Sequence, residues 1–275
     1  MKKILICALL FIMLSTCLIA CSDTSETQTT AVATSTNGVT TTEYPVITSI
    51  SILTTTAPVT TAAPVTYSLE GKNYLFLGSS VTYGSASGGY SMADCLKETE
   101  GCKIYKEAVS GTTLVNNGSN SYVQRLILWG KKAKNTKYDH VIVQLSTNDA
   151  TQNKPLGKVS DSFDKNDFDT TTVAGAIEYI IAFSKETWNC HVSFYTGTKY
   201  DNANYKKMVD LLYDIGEKWG IGIIDLYNDP EMNAVSKKDY AKYMANNGTD
   251  GIHPTKLGYI EWWTPKFKAH LEKYE

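Results

Sequence analysis

From residue 67 onward the sequence predicts an α/β domain, a three-layer α/β/α doubly wound sandwich around a five-stranded parallel sheet. Three observations carry this expectation. Short β-branched or aromatic runs alternate with longer amphipathic stretches. The runs are apolar along their length, as suits strands covered on both faces. The stretches between them space their apolar residues as a helix does.

In chain order the predicted strands are 73–77, 103–107, 141–145, 192–195 and 221–226. The predicted helices are 92–100, 122–133, 173–187, 205–218 and about 255–273. Helical spacing is clearest in Ile177, Ile180, Ile181 and Ser184, and in Met208, Leu211, Leu212 and Ile215. Pro265 interrupts the last helix and is expected to kink it, since proline lacks an N–H and its ring crowds the preceding turn. Right-handed crossovers then wind the sheet, and a ligand site is expected beyond the carboxyl ends of its strands.

Two N-terminal stretches stand apart from this domain. Lys2 and Lys3 precede an apolar run that ends at Ala20, too short to span a membrane permanently, so residues 1–20 are expected to be an export signal. Its end, Leu18, Ile19, Ala20 and Cys21, looks like a bacterial lipobox, which would make Cys21 the lipid-bearing first residue of the mature chain. The plainer alternative is a secretory signal in which Cys21 is incidental. Residues 21–66 are rich in Thr, Ala, Val, Ser and Pro and carry no Lys or Arg, a composition that cannot nucleate a core. They are expected to form a tether holding the 67–275 domain away from a cell surface, exported and anchored to the membrane from outside the cytoplasm.

Charge and cysteine usage narrow the function. The 275 residues carry 26 Lys plus Arg against 28 Asp plus Glu, and Arg125 is the sole arginine. A nucleic-acid partner is therefore not expected, because phosphate readers rely on the bidentate arginine fork. Of the six cysteines, Cys95, Cys102 and Cys190 fall in the domain; Cys95 and Cys102 could be bridged or free. The four histidines, His140, His191, His253 and His270, are scattered singly, so no Cys/His metal site is expected.

The reactive residues follow the strands. After the first come Gly78, Ser79 and Ser80; after the second, Ser110 and Gly111; after the third, Ser146, Thr147, Asn148 and Asp149; and beyond the fifth, Asp250, Gly251, Ile252, His253 and Pro254. In this order the four blocks resemble those of the SGNH, or GDSL-type, serine hydrolases, and the resemblance covers the whole domain. It implies the flavodoxin-like fold of that family, with Ser80 as nucleophile, Ser80, Gly111 and Asn148 as the oxyanion hole, and Asp250 with His253 completing a triad. Two blocks depart from the family pattern: Ser79 stands where it has an aspartate, and Ser146 where it has a glycine.

The residues support the same chemistry on their own terms. A serine hydroxyl is a weak nucleophile near neutrality and needs a base within hydrogen-bond reach. Asp250, three residues before His253, can hold the imidazole Nδ1 proton and leave Nε2 free to take the proton of Ser80. Taken singly, each residue has a duller reading: a turn serine, a capping asparagine, a hinge glycine or a helix-capping aspartate.

Weaker signals surround this set. Ser162 and Lys165 match S-x-x-K without its companion motifs. Asp161, Asp164, Asp167 and Asp169 lie in the 151–171 loop at a spacing unlike an EF-hand, and that loop is expected to wall or cover the substrate pocket. Trp262 and Trp263 suit either a sugar platform or packing between helix and sheet.

The expected function is hydrolysis of short-chain esters, acetyl foremost, on polysaccharides, through an acyl-enzyme and without a metal or organic cofactor. A lipase or lysophospholipase is the alternative within the class. A cell-surface carbohydrate-binding lipoprotein that kept the fold and lost the chemistry is the alternative outside it.

Overall fold

The computed structural model describes residues 69–275. The predicted signal, Cys21 and the tether lie outside the described residues. Five strands form the sheet: β1 (Asn73–Gly78), β2 (Lys103–Ala108), β3 (His140–Gln144), β4 (His191–Tyr195) and β5 (Gly222–Ile224). All pair in parallel, in the order β2-β1-β3-β4-β5. The chain moves outward from β1 to β2 and then crosses back to β3, so the topological switch point lies between β1 and β3, where doubly wound sheets place their ligands.

Alternate residues of one strand serve two cores, because successive side chains leave a strand on opposite faces. Leu75, Leu77, Val141 and Val143 pack with α3 (Tyr122–Ala133), α5 (Val173–Trp188) and α6 (Ala203–Trp219). Tyr74, Phe76 and Ile142 pack on the other face with α2 (Met92–Glu100) and α9 (Thr264–Leu271). Shorter helices α1 (Ser80–Tyr83), α4 (Thr147–Thr151), α7 (Pro230–Asn233) and α8 (Lys237–Tyr243) complete the described set. The longer helices start where a side chain caps their free amides: Ser121 accepts from Gln124 N–H, Thr172 from Gly175 N–H and Asn202 from Tyr205 N–H.

The C-terminal helix differs from a simple proline kink. A π-helical stretch, Gly258–Trp263, runs directly into α9. Pro265 cannot donate within the helix, and the widened turn just before it accommodates that loss. Gly258 lies so close to the Tyr243 carbonyl that a Cβ would stand 2.1 Å from its oxygen. Trp263 is fully buried against Tyr195, Tyr259 and Phe267, while Trp262 stacks on Tyr243. Trp263 thus packs between helix and sheet, and Trp262 packs against Tyr240 and Tyr243 of α8.

Cys95, Cys102 and Cys190 are free thiols. Burial pushes the Cys102 thiol up to about 11. At the amino ends of the strands, His140 and His270 share the Ser193 hydroxyl at 2.7 and 2.9 Å.

The loop after α4 is bolted to the helices and does not form a free lid. Lys218 pairs with the fully buried Glu178 at 2.5 Å, donates to the Ser160 carbonyl at 2.6 Å, and lies over the rings of Phe163, Phe168 and Trp219. The loop's acidic residues act locally. Asp164 caps a short 3-10 turn, Asp167 accepts from Ser162, and Asp169 holds Thr171.

Candidate active site

Gly78 ends β1 in a place where no side chain fits. A Cβ there would meet Thr82 Oγ1 at 1.7 Å and Gln144 Oε1 at 2.9 Å. The close approach lets the chain turn at once into α1, which begins at Ser80. Gln144, at the end of β3, pins this turn from inside: its Oε1 accepts from Ser79 N–H at 2.9 Å, the Thr82 hydroxyl at 2.9 Å and the Ser79 hydroxyl at 3.3 Å. Thr82 is held further by the Tyr195 hydroxyl at 2.6 Å. A fully buried Ser79 therefore suits an acceptor-lined pocket, where a carboxylate would face the Gln144 oxygen.

The Ser80 Oγ lies 2.8 Å from His253 Nε2, and His253 Nδ1 lies 2.9 Å from Asp250 Oδ2. Asp250 also accepts from the backbone of Ile252 at 2.9 Å and of His253 at 3.1 Å, which fixes the turn that carries both side chains. Burial raises the Asp250 carboxyl, but those two N–H groups and the imidazole outweigh it and hold it below its ordinary range. The turn itself hangs on Ala245, whose N–H donates to the His253 carbonyl and whose carbonyl accepts from Asp250 N–H.

Three candidate donors stand on the segments that leave the carboxyl ends of β1, β2 and β3. The N–H groups of Ser80 and Gly111 have no hydrogen-bond partner among the described residues. Gly111 has φ +80°, a left-handed conformation that favours glycine. Asn148, on α4, donates through Nδ2 to the Thr112 carbonyl at 2.8 Å, which locks its amide beside the Gly111 loop and leaves its second hydrogen available. The loop is also clamped by Asp149, which is fully buried and accepts from Leu114 N–H at 2.7 Å and Val115 N–H at 3.1 Å. Burial raises the Asp149 carboxyl, opposed by the Ser146 hydroxyl and these amides.

Arg125 gathers the segments from below. The buried guanidinium donates to the carbonyls of Gly78 at 2.7 Å, Glu107 at 2.8 Å and Asn120 at 2.9 Å, and to the Thr112 hydroxyl at 3.2 Å. The ends of β1 and β2 and the loop beyond Gly111 thus share one cation.

All the residues singled out in the domain, Ser80, Gly111, Asn148, Asp250 and His253, come to the carboxyl edge of the sheet. Sequence reasoning missed the supporting roles of Gln144, Asp149 and Arg125. Gln144 was detectable as a polar residue closing an apolar strand, and Arg125 as the sole arginine. His140, His191 and His270 stand at the opposite ends of the strands. Among the described residues, no His, Cys, Asp or Glu cluster gathers to hold a metal ion.

A hydroxyl, imidazole and carboxylate in line can pass a proton along the line, and unpaired amides at the same edge of the sheet are the kind of donor that stabilises an oxyanion. Fold and arrangement together define an acylhydrolase. Residues 76–259 match the GDSL-like Lipase/Acylhydrolase family, and the chain belongs to that family. Similar solved structures include a Lactobacillus plantarum protein, at 18% identity and TM-score 0.55 over 74% of this chain and 96% of that one. A lipolytic protein of the G-D-S-L family from Desulfitobacterium hafniense is 13% identical, with TM-score 0.52 over 74% and 100%. The native M. smegmatis aryl esterase is 12% identical, with TM-score 0.52 over 74% and 100%. At these identities the likeness shows the fold. Comparison with curated proteins finds no match.

Proposed function

We propose that this protein is an exported, lipid-anchored serine esterase that removes short acyl groups, acetyl foremost, from polysaccharides. The observation that carries the reading is the unbroken line from Ser80 Oγ through His253 to Asp250, at 2.8 and 2.9 Å. Ser80 Oγ attacks the ester carbonyl as its proton passes to His253 Nε2. The carbonyl oxygen becomes an oxyanion facing the N–H groups of Ser80 and Gly111 and the Asn148 amide. As the C–O bond to the alcohol breaks, His253 returns the proton to the leaving oxygen. Water then adds to the acyl-serine, gives its proton to His253, and releases the acid while Ser80 Oγ recovers the proton. Asp250 keeps the ring in the required tautomer throughout and stabilises the imidazolium.

The lipobox-like sequence ending at Cys21 and the Thr- and Pro-rich composition of residues 21–66 support a substrate outside the cell. The test is acid release by the full chain from p-nitrophenyl acetate, acetylated xylan and long-chain p-nitrophenyl esters, each against Ser80→Ala. Loss of acetate release in the variant is expected. Equal rates for the two proteins would remove the enzyme, and a strong preference for long chains would favour a lipase.

A further inference from the structure

A cavity of about 300 Å3 opens at the Gly111 loop, with Gly111, Thr113, Asn117, Ser119, Asn120 and Gln152 among its walls. Its lining side chains are hydroxyls and amides, with no charged or aromatic group. Several are unspent. The Asn117 amide nitrogen, the Ser119 hydroxyl and the side-chain amides of Asn120 and Gln152 belong to solvent-exposed residues and have no hydrogen-bond partner among the described residues. Free neutral donors and acceptors on a concave wall match a ligand that presents several neutral hydroxyls.

The wall is also preorganised. Thr113 Oγ1 donates to Asn117 Oδ1 at 2.8 Å, and Asn116 N–H donates to the Thr170 carbonyl at 2.7 Å. The Asn120 carbonyl and the Thr112 hydroxyl are held by the same Arg125 guanidinium that grips the Gly78 carbonyl. Cavity and nucleophile turn are therefore fixed relative to each other, so binding here need not order a loose loop.

Chemistry narrows the occupant. A phosphate or carboxylate would find no cationic side chain in the lining. An acyl chain would strip water from unpaired amides and give them nothing in return. A sugar ring satisfies them.

We propose that this cavity is a subsite for a neutral sugar ring adjoining the acyl ester that Ser80 attacks. This deepens the esterase reading and rests on it. The test uses the full chain, an acetylated methyl xyloside and p-nitrophenyl acetate as substrates, and unacetylated methyl xyloside as a binding probe by NMR titration. In Asn120→Leu and Gln152→Leu, the ratio of kcat/KM for the acetylated xyloside to that for p-nitrophenyl acetate is expected to fall at least tenfold, mostly through KM. Ratios within twofold of the unmodified protein in both variants, with native circular dichroism, would overturn the subsite. So would hydrolysis of p-nitrophenyl acetate with no turnover of the acetylated xyloside, an outcome that leaves the hydrolase standing. Protein inert to every ester, yet binding methyl xyloside in a way both leucine variants weaken, would remove the esterase reading and keep the subsite.

Discussion

Arg125 reaches the last carbonyl of β1, that of Gly78, with a 2.7 Å hydrogen bond from a buried guanidinium. The same group holds the Thr112 hydroxyl at 3.2 Å, so the turn bearing Ser80 and the loop bearing Gly111 are spaced by one side chain. Arg125→Lys keeps the charge but cannot span this fork. It should lower kcat about ten- to hundredfold while moving KM less, because misplaced oxyanion donors matter most in the transition state. Steady-state kinetics on p-nitrophenyl acetate check this. Arg125→Met should in addition destabilise the fold by about 2–4 kcal/mol in urea unfolding, since several buried carbonyls lose their donor.

Ser80→Ala and His253→Ala should each remove nearly all hydrolysis, on the order of a thousandfold or more, and the double variant should lose little beyond either single change. The two groups touch, at 2.8 Å, and are expected to act as one unit. Multiplicative losses in the double variant would show separate roles.

Restoring an aspartate at position 79 should harm this protein. Ser79 is fully buried, and its N–H and hydroxyl both donate to Gln144 Oε1. In Ser79→Asp a carboxylate would face that oxygen, and rotating the amide would instead turn its NH2 toward the N–H groups of Ser79 and Thr82. A loss of about 1–3 kcal/mol is expected from chemical denaturation. Undiminished stability would show that the pocket repacks.

Stability should weaken as the medium is acidified. His140 is held down to about 3, first by burial and then by His270 and His191; His270 is held down to about 4, first by burial and then by Lys273. Both rings are neutral in the folded state and ionise near pH 6.5 when unfolded, so their contribution is intact above that pH and declines below it toward the folded values. Each group can cost at most ~1.4 kcal/mol per pH unit across this window. Thermal melts between pH 7 and pH 5 should show the decline, and His270→Asn should flatten it. A profile unchanged by the substitution would assign the acid sensitivity elsewhere.

Much of this molecule was legible in its sequence because the strands are short apolar runs and the chemistry sits where such strands end. Helices 92–100 and 122–133 fall where the periodicity put them, as Met92–Glu100 and Tyr122–Ala133. The one-turn helices at Ser80 and Thr147 were not foreseen, since four or five residues show no period. The π-helical stretch before Pro265 was likewise invisible, because the proline marks an interruption and not the kind of turn that absorbs it. The 151–171 loop was expected to wall or cover the pocket. Its start reaches the cavity through Gln152, while Lys218 draws its middle onto the helices, a contact between residues 56 positions apart that no local pattern announces. Gln144 and Asp149 escaped for the same reason: their partners lie on other segments.

The hydroxyl of Ser80 and the ring that faces it are 173 positions apart, and the ring rides on a turn tied back through Ala245, through Thr255 to the Tyr243 carbonyl and through a bridge between Met244 and Pro254. A chain still emerging from the ribosome, or one clipped ahead of that turn, has the attacking oxygen but nothing to receive its proton. Such a fragment is chemically silent, so esters are safe from this polypeptide until its two ends have met.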